Sequence, residues 1–265
     1  MTDPGREEEK MICALMIGRE GSVGFPGKNF YPVLGRPLCA YPLMAARRAE
    51  TVERIYVSTD SERIKEIARK YGAAIIERPP ELATKEALGE DAFRHGFEEI
   101  RRQLKNEGKD LEMLVLLFAN APTITGELID EGVKILRRRP NLDSAVTTSI
   151  YNMWSPIRAR RLGDDGCLHP FVPFEVLGEG IEISCDRDSQ GDVYFADMGA
   201  SVVRPRCLEK MEEGLLPQKW MGRRIAPIPS WGGCDVDYEW QIPMVEYWLR
   251  KHGFEEKTEE SGRKS

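Results

Sequence analysis

Short apolar runs alternate with amphipathic stretches along most of this chain, and that alternation restricts the fold more than any other feature. Residues 11–17 are continuously apolar, 54–58 and 73–76 read as short strands, 113–118 is the most apolar run, and 144–149 is a further strand candidate. The intervening stretches 38–49, 61–71, 89–106 and 125–138 have helical spacing. Phe93, Phe97, Ile100 and Leu104 share one face, as do Ile129, Val133 and Leu136. Ser61 stands where an N-cap belongs and Gly72 where the helix after it must stop. Strands joined by crossover helices predict an α/β fold, a mostly parallel sheet with helices on both faces. In such sheets ligands gather beyond the carboxyl ends of the strands.

The loop after the first strand is rich in glycine: Gly18-Arg19-Glu20-Gly21-Ser22-Val23-Gly24-Phe25-Pro26-Gly27-Lys28-Asn29. Glycines let a backbone turn tightly and approach a ligand closely, and successive N–H groups in such a loop form a concave anion site. Arg19 and Lys28 put a cation at each end, so a nucleoside triphosphate is the natural guest. The loop is not a P-loop: five residues separate Gly21 from Gly27, and Asn29 stands where a hydroxyl would ligate magnesium. The dinucleotide fingerprint fails as well, because Arg19 and Glu20 follow Gly18. Gly18, Gly21 and Ser22 are the candidate nucleotide contacts here.

Composition narrows the partners. A net charge of −6 argues against nucleic acid, so an anionic substrate must be met by local cations. The six cysteines show no C-x-x-C pair, and Cys13 and Cys39 sit in apolar stretches, which predicts buried free thiols in a cytoplasmic protein. No apolar run approaches membrane-spanning length. The charged first ten residues do not read as a secretory signal. Residues 1–10 and 255–265 read as loose tails around one domain over 11–254.

Four segments carry a family resemblance. The glycine loop continues into Phe30-Tyr31-Pro32-Val33-Leu34-Gly35-Arg36-Pro37-Leu38. It is followed by Tyr56-Val57-Ser58-Thr59-Asp60, by Arg78-Pro79-Pro80-Glu81-Leu82-Ala83-Thr84, and late in the chain by Gly233-Cys234-Asp235-Val236-Asp237. In this order they resemble the acid-sugar cytidylyltransferases, which include the CMP-sialic acid, CMP-legionaminate and CMP-Kdo synthetases. The resemblance implies a Rossmann-like nucleotide-diphospho-sugar transferase fold of three α/β/α layers. It also implies transfer of CMP from CTP to a hydroxyl of an acidic sugar (nonulosonate or Kdo-like), with release of pyrophosphate.

Nucleotidyl transfer needs positioning and charge neutralisation more than covalent help. Lys28, with Arg19 beside it, is the candidate for the triphosphate. The resemblance places Asn29 on the nucleotide, and Arg78, Leu82 and Ala83 in the segment that holds cytosine. Asp235 and Asp237 lie two apart after an apparent strand end at 231–234 and before a helix over 238–251. In extended backbone such residues face one way and can share a hard cation, Mg2+ or another divalent. Asn120, past the strongest strand, is a candidate neutral metal or nucleotide ligand. Asp60 is assigned a cap or support role. His95 and His169 have no triad or metal spacing.

Between about 150 and 195 the helical and strand periods fade. The resemblance makes this a dimerisation arm, with an ordinary surface hairpin as the alternative. Arg187, Gln190 and Asp192 are candidate contacts for the acidic acceptor. Val23, Phe118 and Ala196 depart from the family pattern. They keep open a non-catalytic nucleotide-binding regulatory module; a phosphonate or phosphate acceptor for the same chemistry is the other alternative.

Overall fold

Alternate residues of strand β1 (Glu9–Ile17) serve two different cores, which puts this strand in the middle of the molecule. Ile12, Ala14 and Met16 belong to one buried cluster, and Cys13, Leu15 and Ile17 to another. That is the two-residue period of a strand covered on both faces. The computed structural model describes residues 9–21, 24–177 and 184–256. The other strands of the main sheet are β2 (Arg54–Thr59), β3 (Ala74–Glu77), β4 (Lys109–Phe118), β5 (Ser144–Ile150), β6 (Tyr194–Val203) and β7 (Ile225–Pro229). Their order is β7-β5-β6-β4-β1-β2-β3. Only β6 runs antiparallel to its neighbours, β4 and β5.

Helices α1 (Ala40–Arg48), α2 (Glu62–Lys70) and α4 (Gly126–Arg138) bury Leu43, Ile64, Ala68, Ile129, Val133 and Leu136 on the Ile12 side. Helices α3 (Gly89–Asn106) and α5 (Pro205–Glu209) cover the Leu15 side with Phe93, Phe97, Ile100, Leu104 and Leu208. Each fully buried side chain of this size contributes about 1.5–3 kcal/mol. Ser61 and Thr125 accept from the N–H groups of Ile64 and Leu128, so both helices begin at side-chain caps.

A third cluster decides where the site forms. Helix α6 (Ile242–Lys251) packs Ile242, Val245, Trp248 and Leu249 against Val33, Leu34, Leu38 and Tyr41. The end of the chain is thereby docked on the segment that follows the glycine loop.

The structure corrects the late elements. The strand expected to end at 231–234 is β7, which stops at Pro229. The segment from Trp231 to Asp237 is irregular. The helix expected over 238–251 opens as a 3-10 turn, Glu239–Gln241, before α6. His169 lies in a short strand, Leu168–Pro170, paired with Arg160–Leu162.

Candidate active site

β1 and β4 are parallel neighbours, but the chain goes on from β1 to β2 and from β4 to β5, toward opposite edges of the sheet, so a crevice opens beyond their carboxyl ends. The Gly18 N–H donates to the Ser58 carbonyl (3.3 Å), and a Cβ on Gly18 would lie 2.7 Å from Ala119 Cβ. A residue without a side chain is needed for the two strand ends to approach this closely. The crevice holds a cavity of about 240 Å³. Gly18, Arg19, Gly21, Lys28, Asn29 and Arg78 line its polar side, and Leu82, Leu88, Ala92 and Phe118 its apolar side; Asn120 stands at the same rim.

The cations are held in different ways. Arg78 is buried and donates to the Ser58 carbonyl (2.6 Å) and Ser58 Oγ (3.3 Å). Burial lowers it to about 10, with the charge of Asp60 acting in the opposite sense and that of Arg19 adding to the fall. Arg19 donates to the Thr84 carbonyl (2.5 Å), which ties the glycine loop to the Arg78–Thr84 segment. Lys28 Nζ sits 2.6 Å from Asp237 Oδ1, across 209 residues of sequence. Asn29 is buried; its Nδ2 donates to the Arg19 carbonyl (3.2 Å), while its Oδ1 has no partner among the described residues.

Asn120 links the two halves. Its Nδ2 donates to the Val236 carbonyl (3.2 Å) and Asp235 Oδ2 (3.4 Å), and its carbonyl accepts from the Val236 N–H (2.8 Å). Burial pushes Asp235 above the usual carboxylate range, and the charge of Asp237 pushes it further; Lys28 and Asn120 oppose this. Two carboxylates that repel each other, one of them desolvated, are a donor set suited to a hard cation. Among the described residues no group of three or more His, Cys, Asp or Glu is arranged to hold a metal. Mg2+ commonly takes one or two carboxylates and completes its shell with water and substrate phosphates.

The remaining predicted positions fall as follows. Ser22 lies outside the described residues. Ala83 does not line the cavity, and the N–H groups of Leu82 and Ala83 bond within a 3-10 turn, to Pro79 and Pro80. An exocyclic amine is a donor, so carbonyls of this segment are the kind of group that could read it. Asp60 supports the loop: its Oδ1 accepts from the Glu20 N–H (3.1 Å), while Ser61 is the cap. Arg187 borders a separate depression with Ile150, Asn152 and Met153, and does not reach the crevice. Asp192 accepts from Asn152 Nδ2 (3.2 Å), and the Gln190 amide bonds within its own loop. All six cysteines are free, but Cys167 and Cys185 are exposed rather than buried.

Sequence reasoning did not find the Lys28–Asp237 pair, nor Thr123, Ser149 and Asp197 beneath the acidic loop. No local pattern marks a buried polar residue whose partners come from other strands.

The cytidylyltransferase family model matches residues 13–151. The N-acylneuraminate cytidylyltransferase of Escherichia coli O18:K1:H7 is 32% identical over 146 residues, 55% of this chain and 33% of that protein. That of Oncorhynchus mykiss is 33% identical over 255 residues, 93% of this chain and 52% of that protein. The mitochondrial 3-deoxy-manno-octulosonate cytidylyltransferase of Arabidopsis thaliana is 28% identical over 142 residues, 54% of this chain and 44% of that protein. The chain thus spans about half the length, or less, of these relatives. Among solved structures, CMP:2-keto-3-deoxy-manno-octonic acid synthetase complexed with CTP superposes with a TM-score of 0.62 at 15% identity, over 92% of this chain and all of that one. This likeness shows the fold, the Rossmann-like nucleotide-diphospho-sugar transferase architecture.

Proposed function

As the chain belongs to the cytidylyltransferase family, we propose that it transfers the cytidylyl group of CTP to a hydroxyl of an acidic sugar, nonulosonate or Kdo-like, and releases pyrophosphate. The acceptor oxygen forms a bond to the α-phosphorus, the bond to the bridging oxygen of the β-phosphate breaks, and the hydroxyl proton passes to water. The observation that carries this reading is the convergence of Lys28, Arg19 and the Asp235–Asp237 loop on one crevice at the end of β1 and β4.

In this reading the glycine loop and Lys28 take the triphosphate. Asn29, with its unpartnered Oδ1, and the Arg78–Ala83 segment take the nucleoside. Asp235 and Asp237 would hold a divalent cation, Mg2+ or a similar ion, which when bound offsets phosphate charge and acidifies the acceptor hydroxyl. The buried Arg78 keeps the base-side loop fixed through Ser58, and the apolar wall of Leu82, Leu88 and Phe118 keeps water from that side.

Outside the crevice, Met153, Trp154, Leu162, Leu168, Phe171 and Val176 are exposed apolar side chains between β5 and β6. Apolar surface of this kind marks an interaction site, and we read the segment as an arm that a second copy covers in a homodimer. Free cysteines, two of them exposed, accord with a cytoplasmic location. Incubation with CTP or UTP, Mg2+ and a panel of acidic sugars, phosphonates and phosphates tests the function through pyrophosphate release. Release with CTP and an acidic sugar is expected. Release only with a phosphonate or phosphate would move the acceptor class, and CTP binding without release for any acceptor would favour a regulatory module.

A further inference from the structure

The loop that carries Asp235 and Asp237 has no regular secondary structure, yet its backbone is tied at successive residues. The Gly233 N–H donates to Ser149 Oγ (3.1 Å), and the Gly233 carbonyl accepts from the Tyr151 hydroxyl (2.8 Å). The Cys234 N–H donates to Thr123 Oγ1 (2.9 Å). Beneath these contacts stands a carboxyl group that the reaction does not use. Asp197 is 4% exposed and lies on β6, where the register with β5 slips between Ala196 and Ser201. Met198, beside it, has φ 61°. A bulge re-aims a side chain, and a non-glycine residue at positive φ persists only where its surroundings over-determine it.

Here the bulge turns Asp197 inward. Its Oδ2 accepts from Ser149 Oγ (2.8 Å), and its Oδ1 from the Gly199 N–H (3.3 Å). A serine hydroxyl has one hydrogen. Given to Asp197, it leaves the oxygen lone pairs of Ser149 for the Gly233 N–H. The contact is close: a Cβ on Gly233 would lie 2.3 Å from Asp197 Oδ2.

We propose that Asp197 and Ser149 are positioning residues, which fix the backbone at Gly233 and so set the place of the Asp235–Asp237 pair. The inference rests on the reading of that pair as ligands of a divalent cation. Groups that orient the ligands of a metal typically govern about 10–100-fold of its affinity. A buried hydrogen bond with no such role would change stability and leave the affinity for the cation where it was.

The probe is Mn2+, bound to the full chain in the presence of CTP and followed by loss of the free-ion paramagnetic resonance signal. Melting temperature and metal-free CTP affinity are measured beside it. Ser149→Ala and Asp197→Ala are expected to weaken Mn2+ by about 10–100-fold and to leave metal-free CTP affinity unchanged. Asp197→Asn keeps one oxygen for the Ser149 hydroxyl but sets its NH2 against the Gly199 N–H, so it is expected to weaken Mn2+ less than Asp197→Ala; a loss as large as that of Asp197→Ala overturns the inference. Wild-type Mn2+ affinity in Ser149→Ala and Asp197→Ala overturns the inference. Failure of the wild-type chain itself to bind Mn2+ with CTP overturns the reading of the acidic pair instead. If Asp197→Ala melts below the assay temperature, Ser149→Ala decides alone, since it removes both hydrogen bonds through a small truncation.

Discussion

Replacing Lys28 by alanine separates catalysis from stability, because the structure assigns the side chain little of the second. Its ammonium meets Asp237 at 2.6 Å, but the Asp237 side chain is 56% exposed. Ion pairs with a solvated partner contribute about 0.2–1 kcal/mol. For a chain of this size that lowers the melting temperature by no more than about 4 °C. The kinetic effect is of another order. A fixed cation facing charge that develops in the transition state is worth about 3–4 kcal/mol, or ~10²–10³ in rate. Lys28→Ala is therefore expected to cut turnover with CTP by that factor while the chain remains folded. Calorimetric melting and a pyrophosphate-release assay on the same preparation read the two quantities. Near-normal turnover would remove Lys28 from the mechanism. A loss of activity matched by a collapse of the melting temperature would make it a structural residue.

Gly18→Ala brings a methyl to 2.7 Å from Ala119 Cβ, whose own N–H is bonded to the Ile17 carbonyl. Urea unfolding is expected to show a loss of about 1–3 kcal/mol. Arg78→Ala removes two donors from Ser58 and leaves its carbonyl only the 3.3 Å bond from Gly18. A loss of about 1 kcal/mol in the same assay should accompany weaker CTP binding by calorimetry, and unchanged binding would take Arg78 out of the nucleotide site. Asp143, although burial alone would raise it, lies below the usual carboxylate range because the Arg224 and Arg223 N–H groups and the Arg206 guanidinium bond to it. A depressed carboxyl stabilises above its unfolded value and loses that contribution as pH falls through the folded one. The stability gap between wild type and Asp143→Asn should thus be full at neutral pH and narrow below about pH 4; a gap that widens on acidification would contradict it.

Much of the sheet was legible because its elements have strong local signals. The amphipathic stretch 89–106 is α3, the cap at Ser61 stands where the sequence places it, and the helix expected over 125–138 is α4, with Thr125 as its cap. The end of β7 was misplaced and β6 escaped, each for a physical reason. β7 contains Pro227 and Pro229, which read as strand breakers but are tolerated on an outermost strand. β6 carries the bulge at Ala196–Ser201, and the inward-turned Asp197 breaks its two-residue period. At the site, the glycine loop and the D-x-D pair were visible as motifs. Their contact was not, since it depends on α6 packing over Val33–Tyr41. Arg187, Gln190 and Asp192 were taken for residue type and their place near the late family motif, and polar loops of that composition can satisfy themselves locally, as Gln190 with the Ser184 and Asp186 carbonyls shows.

The three cations around the crevice differ in what a triphosphate must displace to reach them. Arg78 is buried and anchored on backbone and hydroxyl oxygens of Ser58, so drawing it out would strand those acceptors. Arg19 is held by one carbonyl, that of Thr84, and Lys28 by one exposed carboxylate. In the proposed reading, exchanging the latter for a phosphate oxygen would cost about the 0.2–1 kcal/mol of a solvated pair, and it would free Asp237 for the cation proposed at Asp235. A chain of net charge −6 thus keeps its mobile positive charge at the mouth of the crevice already neutralised. On that reading, entry of the polyanion and assembly of the two carboxylates would be one exchange rather than two.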